Sequence, residues 1–282
     1  MSVDTMRILI CSSPDRASVN IRDNLLSLFK WSEIDKFEGY PIFVRGDNML
    51  VTINQLHLYA NCIDQKIAEA IDSDITEIIF LSRHKAASGI HTLTVHPIGN
   101  FSVAEYGGFD KELVPSAHHS MTEILRRLKK FAKELPFGVS FEVTHHGPYL
   151  DKPTLFVEIG SDESMWENKK AAIAIAKSIM ELQIPVNPVL IGIGGGHYAP
   201  RFTEVALTKK VSFGHMIPNY AIENAGEEEM MEIIEMAYER TPGAQFAYLH
   251  KKSMKRSIVT RLTHLLNKLN IEIIESESLE EL

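Results

Sequence analysis

The sequence predicts an α/β fold with a mostly parallel central sheet flanked by helices. Short apolar runs of the buried-strand type alternate with amphipathic stretches of helical period almost throughout the 282 residues. The hydrophobic content of 45% is enough for a sizeable core. No linker rich in Pro, Gly and Ser and no internal repeat divides the chain, so residues 1–282 are expected to form a single α/β domain.

The elements follow in order. RILIC (7–11) reads as a buried strand, and SPDRASVNIRDNLLSLF as a helix capped by Ser13 or Asp15, with Ile21, Leu25 and Leu28 on one face. PIFVRGDNMLVTIN (41–54) predicts a strand pair turning at Gly46-Asp47-Asn48. A helix near 60–71 and the strand EIIFLS (77–82) come next. Residues 83–118 are polar, dotted with glycine and rich in histidine. They read as an insertion-like segment of loop and short strand, and as the expected site region. SMTEILRRLKKFAKE (120–134) predicts a helix with Ser120 and Glu123 as a capping box. GVSFEVTHH and TLFVEIG read as strands, and 162–182 as one long helix. PVLIGI (188–193) is a strand running into a glycine loop, and Pro200 suits the first position of the next helix. VSFGHMI, GEEEMMEIIEMAYER, AQFAYL, SMKRSIVTRLTHLLNKL and IEIIES complete the alternation as strand, helix, strand, helix and strand.

Composition narrows the function. The net charge of −8 argues against indiscriminate binding to polyanions. Cys11 and Cys62 make no CxxC pair, which excludes a cysteine-rich zinc knuckle and suits a reducing, cytoplasmic setting. No apolar run reaches spanning length and MSVDTMRILIC lacks a signal-peptide core, so no membrane association is expected. No motif calls for a protein partner. Histidine stands out at twelve, including the pairs His118–His119 and His145–His146. Most are expected to be ordinary surface or core-edge residues, His57, His250 and His264 among them.

In open α/β sheets, ligands sit beyond the carboxyl ends of strands. Five predicted strands carry chemistry at or near such ends: Arg83 and His84; His145 and His146; Glu158; His197; His215. One case could be coincidence, but the set points to a shared site. The glycine loop Gly192-Ile193-Gly194-Gly195-Gly196-His197 is not a nucleotide cradle. A dinucleotide fingerprint needs glycine where His197 stands, and no Gly-Lys-Ser/Thr occurs. The loop instead provides backbone freedom that presents His197 and Tyr198.

The candidate metal ligands are His84, His145, His146, Glu158, His197 and His215, of which a catalytic zinc would use about three and keep one position open. His145 and His146 can serve one ion only if the chain turns between them. A metal-free alternative is a histidine base held by Glu158 or Glu163. HKKSMKRSIVTRLTHLLNKL predicts a basic amphipathic helix over 250–269. There Lys251 and Lys255, and Lys252 and Arg256, share a face suited to phosphates, while Met254, Ile258, Leu262, Leu265 and Leu269 line the other. Arg126, Arg127, Lys129 and Lys130 form a second basic cluster.

Five motifs in order, SRH (82–84), LTVHPIGN (93–100), THHGPY (144–149), FVEIGSDESMW (156–166) and GGGHYAPRF (194–202), resemble the archaeal-type D-aminoacyl-tRNA deacylases, a family also found in plants. The resemblance implies a zinc-dependent hydrolase that cleaves the ester of D-aminoacyl-tRNA, such as D-tyrosyl-tRNA, into D-amino acid and tRNA. It also implies a fold similar to peptidyl-tRNA hydrolases and nucleoside phosphorylases. On this reading His84, His146, Glu158 and His197 are catalytic. The basic helix (Lys251, Lys252, Lys255, Arg256) holds the acceptor end of tRNA. Gly194, Gly195, Gly196 and Tyr198 approach the terminal adenosine or the aminoacyl carbonyl, with loop N–H groups steadying the oxyanion. Chirality is selected by the shape of the pocket. The competing readings are a metal-dependent amidohydrolase or peptidase acting on small molecules, which does not need the basic segment, and a non-enzymatic RNA-binding module, which leaves the strand-end histidines without a use.

Overall fold

The computed structural model of the protein describes residues 5–71, 73–86 and 89–282. RILIC lies inside β1 (Thr5–Ser12), and α1 (Arg16–Leu28) follows. The cap of α1 is Asp15, whose carboxylate accepts from Ala17 and Ser18 N–H. β2 (Ser32–Phe37), β3 (Tyr40–Arg45) and β4 (Asn48–Ile53) form an antiparallel meander. Its last two strands are the expected pair. The first is a largely exposed edge strand, and SEIDKF lacks the alternation that would announce it. α2 (Ile63–Ile71) and β5 (Asp74–Arg83) come next.

β6 (Thr92–His96) is a short strand within 83–118, and it is fully buried inside the sheet. α3 (His118–Phe131) starts two residues before Ser120, and Ala117 occupies the cap position. Ser120 is therefore no cap. Its hydroxyl donates to the Glu77 carboxylate, the same group that pairs with Arg7. β7 (Gly138–Phe141) and β8 (Thr154–Ile159) follow. The single helix expected over 162–182 is two helices, α4 (Glu163–Trp166) and α5 (Lys169–Met180), because the Asn168 side chain caps the second by accepting from Ala171 N–H.

β9 (Val189–Ile193) enters the glycine loop, and α6 (Pro200–Thr208) starts on its proline. β10 (Ser212–Ile217), a short α7 (Asn219–Ile222), α8 (Glu227–Glu239), β11 (Phe246–Leu249), α9 (Arg256–Lys268) and β12 (Glu272–Ile273) complete the chain. Among the described residues no helix is long and apolar enough to cross a membrane.

The strands form two sheets, ordered β2-β3-β4-β1-β5-β8-β6-β7 and β10-β9-β11-β12. The second is parallel throughout. The first is parallel from β4 through β8, and β6 runs antiparallel to β8. One apolar core joins Leu9, Leu81 and Val157 of the first sheet to Ile124 of α3, Ile175 of α5, and Phe213 and Tyr248 of the second sheet. Arg126, expected in a basic cluster, serves this junction. Its guanidinium donates to the carbonyls of Ala206, Lys209 and Val211 at 2.8–2.9 Å, and Arg127 pairs with Glu123.

Candidate functional site

The first sheet lays out the floor of the site through its register. Ser82 on β5 and Thr94 on β6 both lie opposite Glu158 on β8. His96 is two residues beyond Thr94 and so faces the same side. The segment after β7 supplies the wall. Val143 N–H donates to His197 O, and Thr144 N–H to Met216 O, tying 142–146 to the second sheet. His146 takes φ +45°, a left-handed conformation. That is the turn which two adjacent histidines need to face one point. The rings of His96, His145 and His146 lie 4.2–4.9 Å apart, centroid to centroid.

The tautomers of these three rings are fixed by main-chain carbonyls. Nδ1–H donates to Pro97 O from His96, to Val143 O from His145 and to Gly147 O from His146, at 2.7–3.1 Å. Each neutral ring is thereby left with an Nε2 lone pair. Ligand atoms of the three lie within 4.8 Å of one another, as do those of His84, Glu142 and His197, and of His96, Glu142 and Glu158. The buried atoms His96 Nε2 and Glu142 Oε1 and Oε2 have no hydrogen-bond partner. Buried polar atoms are rarely left so. Three imidazoles whose Nδ1 groups are spent on carbonyls are a donor set that suits zinc, and the orphaned atoms fit a bound cation.

Glu142 is the hub of the second group. Its fully buried carboxylate lies 3.1 Å from His84 Nδ1, 3.4 Å from His145 Nε2 and 3.2 Å from His197 Nε2. Glu158 lies 3.4 Å from His84 Nδ1, and Tyr198 OH is 3.0 Å from His84 Nε2. Below, Ser82 Oγ donates to Glu158 Oε1 at 2.8 Å, which leaves its lone pair to accept from His57 Nε2, also at 2.8 Å. Burial pushes His57 down to about 3, His146 down to about 4 and His145 well down, so these rings stay neutral at pH 7. Burial opposes charge on His84 and His96 too, but the hydrogen bond and charge of Glu158, with Glu142 behind it, outweigh it and raise both. Burial likewise works against the Glu158 carboxylate, but His84 at 3.4 Å and His96 at 3.7 Å prevail and hold it well below the usual range.

Of the six candidate ligands, the fold brings together His84, His145, His146, Glu158 and His197. It does not bring His215. That residue lies within β10, not beyond its end, and both ring nitrogens are engaged: Nε2 donates to Val114 O at 2.9 Å, and Nδ1 accepts from Thr144 Oγ1 at 3.0 Å. His96, Glu142, Ser82 and His57 complete the cluster without having been singled out. His57, expected to be an ordinary surface or core-edge histidine, is buried beneath it. The signals were present: His96 ends a strand in TVHP, and Glu142 interrupts an otherwise apolar strand end. Glu163, the alternative carboxylate, starts α4 and is not part of the cluster.

The glycine loop packs away from the chemistry. A Cβ on Gly194 (φ +109°) would meet Met254 and Ser253 at 3.0–3.1 Å, and one on Gly195 (φ +91°) would meet His250 at 3.1 Å. The N–H of Gly194 donates to Ile217 O, and that of Gly195 to Asn219 Oδ1. Those two groups therefore cannot form an oxyanion hole, contrary to expectation. What the loop delivers is His197 and Tyr198. The basic helix also needs correction. Lys251–Ser253 is a 3-10 turn, Lys255 has extended backbone, and α9 begins only at Arg256, so the four cations share no helical face. Lys251 is paired with Glu275, whereas Lys252, Lys255 and Arg256 are exposed. Asn219, which holds Gly195, also donates to Ser253 O at 2.8 Å and so ties this segment to the glycine loop.

Two cavities meet at the histidines. One of about 370 Å³ is lined by His57, Ser82, Arg83, His84, Lys85 and His197 among others. The other, of about 700 Å³, lies between the 99–106 segment and α7–α8. Tyr106, His145 and His146 line both.

An α/β frame in which buried carboxylates hold imidazoles beside two adjoining cavities suits a hydrolase. The sequence profile of the D-aminoacyl-tRNA deacylase family matches residues 71–274. D-aminoacyl-tRNA deacylase of Methanosarcina mazei is 39% identical over 97% of this chain and 93% of its own length. That of Pyrococcus furiosus is 33% identical over 96% of this chain and all of its own. A crystal structure of a conserved protein of unknown function superposes with a TM-score of 0.86 at 30% identity, covering 98% of both chains. The chain belongs to the D-aminoacyl-tRNA deacylase family and is an enzyme of that family.

Proposed function

We propose that the protein hydrolyses the ester between a D-amino acid and the 3′ end of tRNA, as the names of its relatives state for them, at the His96/His145/His146 and Glu142/His84/His197 cluster. The observation that carries this reading is the set of three imidazoles, His96 buried and His145 and His146 half-buried, whose Nδ1 groups are spent on carbonyls while their ligand atoms converge where two cavities meet. A divided substrate, nucleotide on one side and aminoacyl group on the other, suits two cavities with a common wall.

His96, His145 and His146 are the residues that would hold zinc. When bound there, zinc supplies Lewis acidity towards water and the ester carbonyl. His197, partly exposed at the wall and 3.2 Å from Glu142, accepts the proton of the attacking water. The water oxygen bonds to the carbonyl carbon, the bond to the ribose oxygen breaks, and that oxygen takes a proton, giving D-amino acid and tRNA. Glu142 orients His197 and stabilises its protonated form. His197 then gives that proton to the ribose oxygen, and His84, held by Glu158 and Glu142, positions the Tyr198 hydroxyl beside His197. Ser82 and His57 keep the Glu158 carboxylate in place.

Lys252, Lys255 and Arg256, with the α9 N-terminus uncapped by any side chain, form the seat for acceptor-stem phosphates. Such a substrate puts the enzyme in the cytoplasm. The test is release of D-tyrosine from D-tyrosyl-tRNA beside L-tyrosyl-tRNA and a small D-peptide. Turnover of the first alone is expected. Cleavage of the peptide alone would favour a small-molecule hydrolase, and binding without turnover an RNA-binding module. Metal analysis of the purified protein, repeated on His96→Ala, should find about one zinc per chain and its loss in the variant.

A further inference from the structure

The two cavities differ in charge, and that difference assigns the two halves of the substrate. Arg83 and Lys85 line the smaller one, where Arg83 is held over the Trp166 ring at 4.8 Å. Its carboxylate, Glu158, is buried and already hydrogen-bonded. The larger one is lined by the exposed Glu105 and Glu229, and by no lysine or arginine among the described residues. Its walls include the apolar Phe101, Ala221 and Ile233.

We propose that the larger cavity receives the aminoacyl moiety, and that the smaller one receives the 3′-terminal nucleotide. This rests on the deacylase reading above. An ester cleaved at the shared wall of Tyr106, His145 and His146 must send one substituent into each cavity. The nucleotide is anionic and is drawn to Arg83 and Lys85. The α-amino group of the other half carries positive charge when protonated and then complements Glu105 and Glu229. A cavity of about 700 Å³ with apolar walls also leaves room for side chains of different size. The smaller volume, about 370 Å³, still lies within the range of ligand sites, about 300–1,000 Å³.

The test uses the full chain, D-alanyl-tRNA, D-tyrosyl-tRNA and deacylated tRNA. Ala221→Phe narrows the larger cavity. It should lower kcat/KM for D-tyrosyl-tRNA about tenfold more than for D-alanyl-tRNA, while binding of deacylated tRNA stays within about twofold. Glu229→Lys changes an exposed side chain and so spares the fold. It should lower kcat/KM for both substrates while deacylated tRNA binds as well as before or better. Lys85→Glu should weaken deacylated tRNA. Equal losses on both substrates in Ala221→Phe, with weaker deacylated-tRNA binding in Glu229→Lys, would reverse the assignment. Turnover by the unaltered enzyme is a separate result: if it cleaves neither substrate, the deacylase reading falls and this assignment with it. If it cleaves both and neither variant discriminates, only the assignment falls.

Discussion

His215 and His146 make an informative pair. Burial pushes both down, His215 to about 3 and His146 to about 4, and both rings are neutral at pH 7. His215 spends both nitrogens inside the protein, one on Val114 O and one on Thr144. His146 spends only Nδ1, and its other nitrogen faces His96, His145 and the two cavities. A buried histidine with both nitrogens engaged is structural. One with a lone pair left over beside other such lone pairs is positioned to bind a cation or substrate. Burial and a shifted pKa do not separate the two roles; the accounting of ring nitrogens does.

The comparison can be broken at several strengths. His96→Ala removes one of the three unspent nitrogens. It should lower kcat by about 10²–10⁴-fold, together with the bound metal, as single-turnover release of D-tyrosine and metal analysis would show. Glu142→Gln keeps the shape but removes the charge that holds His84, His145 and His197, for an expected loss of about 10–100-fold in kcat with KM little changed. Ser82→Ala acts one bond further out, through Glu158, and about tenfold is expected. Charge reversal at Lys252, Lys255 and Arg256 should leave kcat alone. It should raise KM for charged tRNA and flatten the dependence of log affinity on log salt, by about one unit per lost phosphate contact.

The smallest effect concerns stability. His57 and His215 bind protons less readily folded, at about 3, than unfolded, at about 6.5. The folded pKa is depressed, so the stabilisation from their neutral forms is complete above pH 6.5. It is lost as pH falls from there towards 3, by at most about 1.4 kcal/mol per pH unit for each ring. Urea midpoints at pH 7 and pH 5 should show the drop, and replacing His215 by Gln should make it shallower.

The alternation of the fold was legible because buried strands and amphipathic helices leave strong periodic traces, as in RILIC, EIIFLS and the stripe of α9. β6 was not, because TLTVH sits among glycines and polar residues and only its burial in the sheet makes it a strand. With β6 hidden, His96 did not look like a strand-end residue. Glu142 was passed over because one carboxylate in a short strand looks like an outward-facing position, and only the 142–146 crossing to the second sheet turns it inward. The i, i+4 reading of Lys251 and Lys255 assumed a helix that starts six residues too early. Sequence spacing cannot reveal the extended backbone at Lys255. The clustering of His84, His145, His146, Glu158 and His197 was visible as a pattern of strand ends, while the exclusion of His215 depended on partners far away in sequence.

The most direct test sets the two buried histidines side by side. His146→Gln and His215→Gln are assayed for D-tyrosine release from D-tyrosyl-tRNA, per folded molecule. The account predicts a loss of about 100-fold or more for His146→Gln and a change within about twofold for His215→Gln. Equal losses in the two variants, or an active His146→Gln enzyme, would contradict it.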